Sequence, residues 1–269
     1  MRIYNNVNSV NIQNTLSVTQ TNMTKSLEKL SSGLRINRAA DDAAGLSVSE
    51  GLRSQIRGSQ MGQRNGNDAL AMLQIAESGT QQITDSLQRM RELAVQSSNG
   101  TYTNTDRGYI DQEYKALASE ITRIANATTY NGIQLLSTST AFSFQISAAS
   151  TGASSTISFT PTDLSTGLSF GGVSTQSVAQ AAIGQIDAIL SSVLSLRSNV
   201  GSTMNRLSTT VSNLGDMVTN LTDAESRIRD TDFAKETMQF TRNQILTQSA
   251  QSMLSQANQL PSGVLSLLR

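Results

Sequence analysis

Through most of the second half of the chain, apolar residues recur at alternating steps of three and four. The register reads Ile183, Ile186, Leu190, Val193, Arg197, Val200, Met204, Leu207, Val211, Leu214, Val218, Leu221, Glu225, Ile228. Only Arg197 and Glu225 interrupt it, so the stretch is a heptad seam of the kind that packs along another helix. As one helix it extends about 68 Å at about 1.5 Å per residue and needs equally long partners. The first half supplies them: Leu73, Ala76, Thr80, Ile83, Leu87, Met90 and Ala94 keep the spacing, and Ile110, Tyr114, Leu117, Ile121 and Ile124 resume it after a break. That break, SSNGTYTNTDRG at 97–108, carries the Gly and Asn of a reversal between antiparallel helices. The pattern predicts a helix over 44–96, a return helix over 106–127 and a late helix along both, a mainly α, long antiparallel bundle or coiled coil.

Between 137 and 178 the period changes to two, with Phe142, Phe144 and Ile146 on one side of a strand and Ile157 and Phe159 on one side of the next. A small β-hairpin follows, with TGAS at 151–154 as its turn region and Pro161 closing the second strand. The outermost segments carry a second pair of stripes: Leu16, Met23, Leu27, Leu30 and Leu34 in front, and Leu246, Ala250, Met253, Ala257, Leu260, Val264 and Leu267 behind. Thr19, Gln20, Ser249 and Gln256 dilute them. Isolated helices draw most of their stability from packing, so both ends are expected to be disordered alone and to fold against copies of the chain. The divisions read this way are a front core segment 1–43, a helical region 44–179 that includes the hairpin, its return helix 180–228, and a back core segment 229–269.

Composition narrows the chemistry. Only 37% of the chain is apolar and 4% aromatic, thin material for a compact core. The absence of cysteine excludes disulfides and thiolate zinc sites, and the absence of histidine removes the usual metal ligand and the usual general base. Neither a catalytic site nor a cofactor or metal is expected. Twenty basic and twenty acidic residues balance, leaving no field to gather nucleic acid or an anionic membrane. No uninterrupted run of about 18 apolar residues exists, and the opening MRIYNNVNSVNIQNTL lacks the apolar block of a cleavable signal peptide. The reading is a cytoplasmic chain, or one exported with its amino end intact.

LSSGLRINRAADDAAGLSVSEGLRSQIRG at 30–58 and NDALAMLQIAESGTQQITDSLQRMRELAVQSSNGT at 67–101 resemble the signature of bacterial flagellins. So do ESRIRDTDFAKETMQFTRNQIL at 225–246 and the terminal PSGVLSLLR, so that the resemblance covers about 1–136 and 180–269. It implies a coiled-coil core from the two termini, a rod of long helices with a β-hairpin, and self-assembly into an extracellular flagellar filament for motility. Flagellins often carry outer domains between the halves; this chain has almost no insert, which implies a smooth filament surface. The resemblance also implies uncleaved export through the flagellar type III apparatus, a chaperone on the carboxy-terminal helix, and contacts with the filament cap and hook-junction proteins. The rival reading is a hook-filament junction protein.

The segment Ala39 to Gly45 stops the first stripe, and its aspartates cap the next helix. A further expectation is a salt bridge from Asp41 or Asp42 to Arg35 or Arg38, or to a neighbouring subunit. Glu225, Arg227, Arg229, Asp230 and Asp232 read as a solvated charged face or a subunit contact. Gln88 to Leu93 resembles the flagellin segment recognised by the vertebrate innate receptor TLR5. On that resemblance Arg89, Leu93 and Glu113 form a receptor-binding face that is buried between subunits in the filament.

Overall fold

The computed structural model describes residues 6–147, 155–164 and 170–267, the last with side chains to residue 259. Five helices, α1 (Val7–Ser32), α2 (Ala43–Ser97), α3 (Asn104–Ala127), α4 (Gln176–Arg229) and α5 (Phe233–Leu267), enclose in sequence two short strand pairs. These are β1 (Thr129–Tyr130) with β2 (Ile133–Gln134) and β3 (Phe142–Gln145) with β4 (Thr156–Phe159), both antiparallel. The chain forms two compact units, residues 1–54 with 220–269, and residues 55–219. The boundaries of these units fall inside α2 and α4.

In the 55–219 unit one hydrophobic core takes Leu73, Ile83, Leu87 and Met90 from α2, Tyr114 and Ile121 from α3, Ile157 and Phe159 from β4, and Ile186, Val193, Val200 and Leu207 from α4. The last four are seven residues apart and fully buried, as the heptad pattern requires. The other half of the expected seam shifts by one. Ala182, Leu196 and Thr203 are buried, whereas Ile183, Leu190, Arg197 and Met204 are half-buried flank. A helix with partners on two sides buries a broader stripe than a two-helix seam, so the second line moves toward the added partner. Over 18 residues α4 reaches a mean hydropathy of 1.3, enough by length and composition to cross a membrane. In this unit its Ala179, Ala182, Ile186, Val193, Leu196, Val200 and Leu207 go into the core, while Val178, Leu194 and Met217 stay exposed.

The reversal between α2 and α3 is built from polar side chains. The Thr103 hydroxyl accepts the Asp106 N–H and the Asp106 carboxylate accepts the Thr103 N–H, a capping box that starts α3. The hydroxyl and amide of Thr103 hold the Asp106 carboxyl below its ordinary value. Buried Arg107 donates to the carbonyls of Ser97 (2.8 Å) and Asn99 (2.9 Å) and to Asn104 Oδ1 (3.0 Å), bracing the loop from inside.

The expected hairpin pairs Phe142 with Phe159 and Phe144 with Ile157, and Pro161 lies just beyond its second strand. Its TGAS turn lies outside the described residues. It rests on α2, where Asn65 Nδ2 donates to the Gln145 carbonyl (2.9 Å) and a Cβ on Gly62 would stand 2.4 Å from the Ile146 oxygen. Only glycine lets backbone approach helix this closely. The β1–β2 hairpin was not anticipated: Asn131 (φ 49°) and Gly132 (φ 77°) both take positive φ, the two-residue turn that Asn-Gly favours.

Candidate self-assembly surface

In the other unit α1 and α5 lie antiparallel. Asn6 Nδ2 donates to the Ala257 carbonyl (2.8 Å) at one end, while Thr231 N–H donates to Gly33 O (3.0 Å) and Arg35 N–H to Arg229 O (2.6 Å) at the other. Residue 6 beside 257 and residue 33 beside 231 fix one continuous register. The residues closed between the helices are small or polar: Thr19 and Ser26 on α1, Asn243 and Ala257 on α5. Thr19 and Ser26 are seven apart, Asn243 and Ala257 fourteen, with half-buried Ala250 between the latter. Small side chains let the backbones approach, and Cα atoms of the two helices lie within 8 Å.

The large apolar residues are consequently left outside. Leu16, Met23, Leu30 and Leu34 are half-buried; Leu27, Leu246 and Met253 are exposed. Phe233, Met238 and Ile245 are 57%, 68% and 57% exposed, and with Thr241 and Leu246 they line an apolar groove along α5. The apolar stripes of the two end segments therefore lie outside the seam between them. The intramolecular seam uses the small residues, so the apolar residues remain available to other chains. The side chains of Leu260, Val264 and Leu267 lie outside the described residues.

The loop between α1 and α2 corrects the expected ion pairs. Asp42 Oδ1 accepts the Gly45 N–H (2.8 Å) and so caps α2, while Asp41 Oδ2 accepts the N–H groups of Arg38 (3.0 Å) and Asn37 (3.3 Å). Those backbone bonds, that of Arg38 first, hold the Asp41 carboxyl below its ordinary value. The arginines turn elsewhere: Arg38 pairs with Glu28 (2.9 Å) and the Arg35 guanidinium donates to the Ile228 carbonyl. Both aspartates are occupied with orphan amides and neither bridges to Arg35 or Arg38 within the chain. In the expected charged face, Arg229 pairs with Glu50 (2.8 Å), lowering the Glu50 pKa, and Asp232 caps α5 through the Ala234 and Lys235 N–H groups.

On the 55–219 unit, Arg89 bridges α2 and α3, donating to Glu113 (2.9 Å) and to Glu92 (3.0 Å), all three exposed. Leu93, grouped with them by resemblance, is 2% exposed and belongs to the core. The α2 stripe that buries Met90 and Ala94 buries it as well, so Arg89 and Glu113 carry the exposed face. Among the described residues no cluster of three or more His, Cys, Asp or Glu is placed to hold a metal ion.

This architecture matches known proteins along its whole length. The model for the bacterial flagellin N-terminal helical region matches residues 3–141, and that for the flagellin C-terminal helical region matches residues 183–268. The chain belongs to the bacterial flagellin family. A flagellin of Halalkalibacterium halodurans is 45% identical over 272 residues, and the flagellar filament 33 kDa core protein of Treponema phagedenis is 42% identical over 287 residues. Each alignment covers 100% of both chains. The crystal structure of Bacillus cereus flagellin, 30% identical, superposes with a TM-score of 0.51 over 56% of this chain and 88% of that one. A flagellar hook-associated protein from Vibrio parahaemolyticus shares the fold at 16% identity and a TM-score of 0.60 over 71% of this chain and 100% of that one. The full-length likeness to filament proteins favours flagellin over a junction protein. This flagellin is a structural filament subunit, not an enzyme, and is short because only residues 142–182 separate the two family regions, leaving no outer domain.

Proposed function

We propose that the α1–α5 pair is the polymerisation element. Its outward apolar residues dock on a different surface of the next copy, and the contact repeats without closing into a ring, giving an open helical filament. The observation that carries this reading is the inversion of the pair: small polar residues inside, Phe233, Met238, Ile245, Leu246 and Met253 outside. Burying such a stripe among copies is the main favourable term of association. In isolation the pair is held by a polar seam, so its helices become fully ordered only in the polymer. A chain trimmed of residues 1–43 and 229–269 should give no filaments when seeded; filaments like those of the intact chain would overturn the proposal.

Family membership supports a proposed route: export without cleavage through the flagellar type III apparatus, a chaperone covering α5 beforehand, then growth under the cap beyond the hook-junction proteins, outside the cell. The exposed Arg89 and Glu113 are proposed to meet TLR5 in the free subunit and a neighbouring subunit in the filament. Arg89→Asp should weaken both receptor activation and polymerisation, and unchanged behaviour in both assays would remove this assignment.

A further inference from the structure

Four lysines occur in the chain, Lys25, Lys29, Lys115 and Lys235. Lys115 is ion-paired with Asp111 at 2.7 Å in the 55–219 unit. The other three, two on α1 and one on α5, converge on a single groove of about 420 Å³ between these helices, and none of them is in an ion pair among the described residues. Asn243 also lines the groove. It is 4% exposed, and its Nδ2 has no acceptor, an uncommon state for a buried amide.

The acidic groups facing the lysines compensate them only in part, and among the described residues none is within ion-pair distance of them. Glu236 lies in the same groove, and Asp41 and Asp42 in an adjoining hollow that shares Lys25 and Lys29 and adds Arg35. Both aspartates are already occupied by backbone N–H groups, and Lys29 and Lys25 act on Asp41 only through space. Three ammonium groups and an orphan amide N–H stand against the single carboxylate of Glu236 in the groove, so a ligand that complements the surplus is a negatively charged acceptor, an ionised carboxylate.

We propose that this groove is a carboxylate slot that receives an Asp or Glu side chain from a second copy of the chain. Two observations select that source. The groove lies between α1 and α5, the pair whose apolar face is unpartnered. The chain also has no net charge, so the cationic surplus here is balanced by surplus carboxylates elsewhere on the same surface; exposed Asp68, Glu77, Asp216 and Asp223 have no ion-pair partner among the described residues. The inference rests on the filament reading and adds to it a specific polar contact.

Acetylation of lysines in intact full-length protein, with filaments compared to dilute monomer by mass spectrometry, tests it. An opposite charge at bonding distance raises a lysine pKa by about one unit or more, so Lys25, Lys29 and Lys235 should acetylate about tenfold more slowly in filaments. Lys115, already paired, serves as the internal standard. A zero-length carbodiimide cross-linker should in addition join at least one of the three to an Asp or Glu of another copy, in filaments only. Filaments in which the three lysines react as in monomer, with no such cross-link, overturn the slot and leave the filament reading intact. Equal protection of monomer by free sulfate, with no cross-link in filaments, overturns the second copy as ligand. Failure of the protein to polymerise at all removes both.

Discussion

Ile245→Gln separates assembly from folding. The side chain is 57% exposed on α5, so it contributes little to the α1–α5 seam and much to whatever covers it. Fully burying an isoleucine stabilises by about 1.5–3 kcal/mol; with 57% of it still in water, burial on docking should contribute about 0.9–1.7 kcal/mol. At about 1.4 kcal/mol per factor of ten, replacing it raises the critical concentration for polymerisation about fourfold to sixteenfold. Glutamine forms helix at least as well as isoleucine, so the subunit itself should be unaffected. The assay is sedimentation of seeded filaments across a concentration series, with far-ultraviolet circular dichroism of the monomer as control. A critical concentration within about twofold of the parent, at unchanged helicity, would refute the idea that this face drives assembly.

The core offers sharper tests of geometry. Gly62→Ala places a methyl 2.4 Å from the Ile146 oxygen and should destabilise the 55–219 unit by about 1–3 kcal/mol, read as a lower Tm, whereas Gly184→Ala, which meets nothing within 4 Å, should stabilise by about 0.5–1 kcal/mol. Tyr114 is buried with no partner for its hydroxyl, and burial, helped by Asp111, pushes its phenol up to about 12. A raised folded pKa gives stability that is complete below 10.0 and lost as pH rises through about 12, so phenolate absorbance should show a late step that Tyr114→Phe abolishes while raising Tm. Asp41, Glu50, Asp106 and Glu120 are depressed, so their contribution is complete above their ordinary values of 3.8 and 4.5 and lost as pH falls through the lower folded ones. Asp106→Asn should therefore flatten the acid limb of the stability profile measured by thermal unfolding.

The long helices were legible because their core stripe is apolar and periodic: the expected 44–96 and 106–127 stand against Ala43–Ser97 and Asn104–Ala127. The β3–β4 pairing was legible from period two. The Asn131-Gly132 turn was written in the sequence, but each flanking strand is two residues long, too short for periodicity to register. Arg107 gave no signal, since a buried guanidinium satisfied by carbonyls looks like any surface arginine in sequence. At the assembly surface the pattern marked the apolar stripes of α1 and α5 but not the seam that joins the two helices. An apolar stripe announces that it will be covered without saying whether by its own chain or by another, while the Thr19, Ser26 and Asn243 seam resembles dilution of that stripe.

The bond from Asn6 to the Ala257 carbonyl joins residues 251 positions apart. Closing an open coil of that length costs about 5 kcal/mol of chain entropy, more than a polar two-helix seam readily repays. Only after the intervening segment has collapsed does the gap shorten enough for the first helix to leave the ribosome to meet the last. Joining the two ends is therefore a late step, taken once the segment between them has folded.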